Sequence, residues 1–276
     1  AFDGTSATSS GWFWADLVEE PTTSVRSLWV DPDQTLWLGT EDGVVRREGT
    51  QLVPAGLSGT VTFLQGTAAD NVLAIVSYEV HHFDGNSWTD LGLANVVAAW
   101  TGAANDAILA ESGGLVWLWD GSQLTAGPTL PGDADDVWGS QTLGYVALVD
   151  GDLYSLEGSA WIGAGEDNLL ALWGPLEGPP FAIGSRGRAV RRESGQWVEL
   201  PTGLGTNLFN IGGSGPNDVV ATGVNDFGAY FDGTEWTPIR FPDGFDGFGV
   251  LAVSAKAVYL VRDDNVRILH RRDGTQ

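Results

Sequence analysis

The chain contains no cysteine, which excludes disulfide cross-links, thiolate catalysis and cysteine-ligated zinc together. Such a chain folds equally well in oxidising or reducing surroundings, so this absence does not choose a compartment. Basic residues are scarce: 13 Lys and Arg face 36 Asp and Glu, for a formal net charge of -23. A field of that sign repels phosphate backbones, so nucleic acid and anionic membrane surfaces are not expected partners. Gly, Asp, Ser or Asn interrupts every apolar run before the roughly 18 residues a spanning helix needs, and no transmembrane segment is expected. Helical periodicity is missing as well, and 39 Gly with 12 Pro would break helices throughout. Histidine occurs only as His81, His82 and His270. The first two are neighbours that would point to opposite faces of a strand, so no Ser/His/Asp arrangement is expected.

Core-forming residues are plentiful. Hydrophobic residues make up 43% of the chain, with 13 Trp and 11 Phe, enough for a packed interior. A length of 276 residues fits one large domain or two small ones, and the internal organisation must decide.

A two-residue turn recurs along the chain, usually an acidic residue followed by Gly: Glu48-Gly49, Asp84-Gly85, Asp120-Gly121, Glu157-Gly158, Ser194-Gly195, Asp232-Gly233 and Asp273-Gly274. The glycines are 36, 36, 37, 37, 38 and 41 residues apart. Such pairs supply the positive φ angles of a tight hairpin, and Trp88, Trp161, Trp197 and Trp236 follow to open the next strand. Upstream of each turn lies an apolar strand carrying Leu28-Trp29, Ala99-Trp100, Val137-Trp138, Leu172-Trp173 or Ile211-Gly212. Two further β-rich segments fill each repeat, as in Thr35 to Gly39 followed by Val44 to Arg47. Four strands in a repeat of this length predict an all-β, seven-bladed β-propeller with four-stranded antiparallel blades.

The last repeat stops at Gln276, before any outer strand. Trp14-Ala15-Asp16-Leu17 matches Trp88-Thr89-Asp90-Leu91, an outer strand, so the N-terminal strand is expected to close the last blade and remove the open edge. Residues 1–276 then form one domain. Residues 1–10 read as a flexible segment left by a removed leader, which predicts a secreted, periplasmic or cell-surface protein, with a lipid anchor as one form of attachment.

The first blade, with Leu28-Trp29-Val30-Asp31-Pro32-Asp33-Gln34-Thr35-Leu36-Trp37-Leu38-Gly39-Thr40-Glu41-Asp42-Gly43, resembles the periplasmic sensor propellers of two-component regulators. Later blades, with Trp-Gly, Asn-Asp-Val and Asp-Gly-x-x-Trp, resemble propeller repeats of secreted or lipoprotein chains of bacteria. The resemblance implies a fold and not an activity, and the membrane-anchored kinase to which the sensor propellers are fused has no counterpart in these residues.

In a propeller, one face carries the turns between the second and third strands of each blade. These turns hold Glu41 and Asp42, Glu79, Glu111, Asp150 and Asp152, Asp226, and Asp263 and Asp264. They are either solvated turns or a rim that attracts a cationic partner or a divalent metal such as calcium. The fifth blade departs from this with Ser185-Arg186-Gly187-Arg188, placing Arg186 and Arg188 among carboxylates, either to pair with them or to recognise a carboxylate or phosphate. Arg46-Arg47, Arg191-Arg192 and Arg271-Arg272, before their turns, read as structural. Asp31-Pro32-Asp33 and Asp243-Gly244-Phe245-Asp246-Gly247 pair hard oxygens, but neither has a full calcium-ligand ladder, and both read as turns. Trp29, Trp100, Trp138 and Trp173 share one register, which suits packing between blades better than sugar stacking.

Two longer loops, Thr125 to Ala134 and Arg240 to Phe248, are expected to add contacts, the second through Phe241, Phe245 and Phe248 beside Asp243 and Asp246. The reading is a non-enzymatic recognition module for a protein or glycan of cationic character, with no cofactor required. The alternative is a carboxylate-dependent, calcium-assisted hydrolase or lyase at the central channel.

Overall fold

The computed structural model describes residues 12–16, 23–103, 105–225, 227–241, 251–253, 257–262 and 265–271. They form 28 strands and one short 3-10 turn, Ser185–Gly187. Strand β1 is Trp12–Asp16, and the first sheet follows with β2 (Val25–Val30), β3 (Leu36–Thr40), β4 (Gly43–Glu48) and β5 (Gln51–Ser58). The second holds β6 (Val61–Ala68), β7 (Asn71–Val76), β8 (Glu79–Phe83) and β9 (Trp88–Asp90). The third holds β10 (Val96–Ala103), β11 (Asp106–Glu111), β12 (Val116–Trp119) and β13 (Leu124–Ala126), and the fourth β14 (Asp136–Ser140), β15 (Gly144–Val149), β16 (Asp152–Glu157) and β17 (Ala160–Gly163). The fifth holds β18 (Leu169–Trp173), β19 (Phe181–Gly184), β20 (Ala189–Glu193) and β21 (Gln196–Glu199), and the sixth β22 (Leu208–Gly215), β23 (Asp218–Gly223), β24 (Phe227–Phe231) and β25 (Trp236–Arg240). The remaining strands, β26 (Leu251–Val253), β27 (Ala257–Arg262) and β28 (Asn265–Arg271), join β1 in the order β1-β28-β27-β26.

Six of these four-stranded sheets are complete, consecutive repeats, and the seven-repeat expectation is corrected at the last one. The remaining sheet is a composite of both ends of the chain, in which β28 pairs antiparallel with β1, Trp14 opposite Leu269. It therefore has no hairpin between its third and outer strands. Asp273-Gly274, read from the sequence as a seventh such turn, lies outside the described residues, as do residues 1–10 and Leu17.

In the six complete repeats the turn glycines Gly49, Gly85, Gly121, Gly158, Gly195 and Gly233 all have positive φ, from 62° to 101°. That conformation carries a steric cost for other residues, which explains the spacing of the glycines. Several of these turns are tied down by the acid that precedes the glycine. The Asp232 carboxylate accepts the N–H groups of Thr234 and Glu235 and the Thr234 hydroxyl, which lowers its pKa to about 2.

Apolar side chains pack between sheets, one cluster at each junction. Val25, Leu28, Leu36 and Leu38 pack against Ala257, Tyr259 and Val261, joining the first sheet to the composite one. The inner-strand tryptophans contribute at the junctions. A Cβ on Gly66 would fall 2.7 Å from the ring of Trp29, one on Gly213 2.5 Å from Trp173, and one on Gly174 2.4 Å from Trp138 Nε1. Each ring thus lies over a glycine of the next sheet, the inter-blade packing that the shared register implies. Arg46 lies over Trp37 at 5.6 Å and Arg191 over Phe231 at 5.3 Å, each paired with a Glu two residues on, so the first Arg of both pairs is structural.

Candidate functional site: the channel mouth and its rim

The innermost strands β2, β6, β10, β14, β18, β22 and β26 surround a central cavity of about 1100 Å³. Five of them begin with a β-bulge, which inserts Arg26, Thr62, Val97, Leu170 or Phe209 between paired residues. A bulge re-aims a side chain at the end of a strand. Thr62, Val97, Leu170 and Phe209 all line the cavity, with Val97 39% and Leu170 40% exposed. Trp29, Phe63, Trp100 and Trp173 line it deeper in, and its titratable lining among the described residues consists of four carboxylates, Asp31, Asp135, Asp136 and Glu177.

Asp136 is the one strongly perturbed carboxyl on this wall. Burial raises its pKa to about 7, against the pull of N–H groups donated by Leu172 and Val137. Leu172 belongs to the next sheet, so the carboxylate clasps two blades. A hydrolytic pair would need a second carboxyl held close by, and adjacent Asp135 is exposed.

The turns around the mouth are stitched together by backbone hydrogen bonds. Gly59 N–H donates to Asp42 O at 3.0 Å, Val96 to Tyr78 O at 3.1 Å, Leu130 to Gly114 O at 2.8 Å and Leu169 to Gly151 O at 3.1 Å. Each bond links a turn of one blade to the chain entering the next, which makes the rim a continuous backbone ring over these blades.

The carboxylates expected there take different roles. Asp42, Glu79, Asp150 and Asp152 are exposed and Glu111 is half-buried, but Glu41 is paired with Arg26 across the first blade. The two arginines of the fifth blade also separate. Arg188 is half-buried and bound by Glu166, Asp167 and the Asp167 carbonyl, with the Asp167 carboxylate at 3.1 Å. Arg186 is exposed, with φ +58°, and its backbone N–H donates to Asn207 Oδ1 at 3.0 Å. It borders a second depression, shared with Asp167, Glu199, Thr202 and Asn207. Asp226, Phe245, Asp246, Asp263 and Asp264 lie outside the described residues.

Three other readings can be placed. Asp31 is buried and accepts hydrogen bonds from Thr35 N–H at 2.8 Å and Trp37 Nε1–H at 3.1 Å, so its carboxylate is spent on the turn. Phe241, expected in an exposed loop, is 2% exposed and packs on Val258 and Leu260; the chain leaving β25 turns inward to complete a core. Leu130 and Ala134 of the other long loop are likewise buried, against Val137 and Tyr145. His82 contacts Asn71 at 2.8 Å, and burial lowers its pKa.

The sequence reading missed Tyr78. Its side chain stands 61% exposed on the rim, in the turn between β7 and β8. Ser77 and Tyr78 both have positive φ, 52° and 70°. The equivalent turn of the fourth blade uses Asp150-Gly151 at 51° and 83°, the inexpensive solution for a two-residue hairpin. Ser-Tyr in that slot costs about 1 kcal/mol or more. The signal was legible in Val76-Ser77-Tyr78-Glu79 set beside Val149-Asp150-Gly151-Asp152.

No protein-family model matches the chain, and no curated sequence matches it. Solved structures do. A structure described as YCF48 bound to D1 peptide is 14% identical, with a TM-score of 0.69 over 98% of both chains. A structure of YCF48 from Cyanidioschyzon merolae, also 14% identical, gives 0.68 over 96% of this chain and 100% of that one. At this identity the likeness establishes a β-propeller fold; the resemblance to bacterial sensor propellers gains no support from it.

Proposed function

We propose that this chain is a protein-recognition module that binds a segment of a partner protein at the mouth of its central channel. The observation that carries the reading is the repeated bulge, which opens five inner strands alike and leaves Thr62, Val97, Leu170 and Phe209 at one opening. Exposed Val97 and Leu170 beside a half-buried Phe209, on a rigid, stitched rim, have the composition of a contact surface. A propeller of the same architecture carries a peptide in the YCF48 structure, which supports a peptide-sized ligand by analogy of fold. The net charge of -23 favours a cationic partner.

Random-peptide display on the intact chain tests this. Enriched peptides are expected to lose about tenfold in affinity against Leu170→Asp, as hot-spot positions do. A selection without enrichment, or peptides indifferent to Leu170→Asp and Phe209→Ser, would sink the proposal.

A further inference from the structure

The strained Tyr78 turn does not stand alone. Tyr78 O accepts the N–H of Val96, the residue before the exposed bulge residue Val97. Asn95 O accepts the N–H of Ser112, in the next turn, and Leu115 closes that turn at 47% exposure by accepting the N–H of Glu111 at 2.8 Å. Tyr78, Val97 and Leu115 are therefore held along one run of backbone hydrogen bonds over the second and third blades. Segments 77–79, 95–97, 111–115 and 130–135 contain four carboxylates, Glu79, Glu111, Asp133 and Asp135, and no basic residue. Asp133 is fixed in place, accepting the Gly113 N–H at 2.5 Å.

We infer that this patch is the anchoring subsite for the partner, docking a segment in which Lys or Arg alternates with large apolar side chains. The inference rests on the recognition function proposed above. Charge complementarity selects the occupant: three apolar side chains set among carboxylates fit a chain that offers the opposite charge and its own apolar groups. A tyrosine kept exposed in a left-handed conformation, where glycine would relieve the backbone, is the arrangement expected when the side chain earns its place by contact. Alternation suits an extended segment, whose successive side chains face opposite ways.

The test uses the full chain and three labelled peptides of equal length, Lys–Leu, Glu–Leu and Lys–Ser, read by fluorescence anisotropy. Lys–Leu should bind, more weakly as salt rises, and should lose about tenfold or more in affinity with Tyr78→Gly and with Leu115→Ser. Because Tyr78→Gly relieves the turn, its melting temperature should be equal to or above that of the parent, which separates lost binding from lost folding. Equal binding of Glu–Leu or Lys–Ser, binding unaffected by Tyr78→Gly, or no binding of Lys–Leu overturns the inference. If Leu170→Asp abolishes binding while Tyr78→Gly does not, the channel-mouth function survives and only the anchor is lost.

Discussion

Gln65 and Thr101, on the inner strands of neighbouring blades, are joined by two hydrogen bonds: Gln65 Nε2 donates to Thr101 O at 3.1 Å, and Thr101 N–H donates to Gln65 Oε1 at 2.8 Å. Gln65 occupies the register that holds Trp29, Trp100, Trp138 and Trp173 in four other blades. One seam of the ring is therefore closed by an amide on a backbone instead of a ring over a glycine.

Gln65→Ala should accordingly destabilise the protein by about 1–3 kcal/mol, because Thr101 is buried and both its backbone groups would lose their partner. Urea unfolding of the variant measures this. A midpoint unchanged from the parent would show that the seam draws its strength elsewhere.

The tryptophan seams predict the opposite chemistry. Gly174→Ala places a methyl 2.4 Å from Trp138 Nε1 and 2.9 Å from the Pro180 backbone, and overpacking of that kind costs about 1–3 kcal/mol. Adding Trp138→Leu should recover part of that loss, so a double-mutant cycle should show coupling between the two sites.

Removing residues 1–20 deletes β1 and exposes β28 as an edge. The truncated chain should melt about 10 °C or more below the parent, at ~2–4 °C per kcal/mol for a domain of this size. It should also associate with increasing concentration, through the unpaired ladder. A melting temperature within a degree or two of the parent would show that the closure contributes little.

Asp136 gives a pH dependence with a definite sign. Its pKa in the fold, about 7, lies above the ~3.9 of an unfolded Asp, so the folded state binds the proton more tightly. Stability from this group is full below pH 4 and falls as pH rises to about 7. Each tenfold change in proton affinity is worth about 1.4 kcal/mol, an upper bound for a half-buried carboxylate on an open channel. Urea midpoints at pH 5 and pH 8 should differ less for Asp136→Asn than for the parent. Equal differences would remove Asp136 from the titration.

The repeat was legible because its physics is local. A tight hairpin needs positive φ, so Gly49, Gly85, Gly121, Gly158, Gly195 and Gly233 mark the turns whatever surrounds them. The pairing of Trp12–Asp16 with β28 was legible for a related reason: a strand matching an outer strand has one unpaired edge to fill. The rim was less legible. Glu41 and Asp42 are adjacent in sequence, yet only Glu41 is neutralised, by an arginine 15 positions away. Arg186 and Arg188 read alike until Glu166 and Asp167 are brought against the second alone.

Composition and turn chemistry in the sequence thus determined an acidic, all-β chain of four-stranded repeats whose termini meet, since these depend on each residue's own backbone preferences and its near neighbours. Tertiary structure alone decided which side chains remain available at the channel mouth. Phe241 disappears into a core while Tyr78 is held outward on a strained turn, because exposure depends on how neighbouring blades stack and not on the residue's own chemistry.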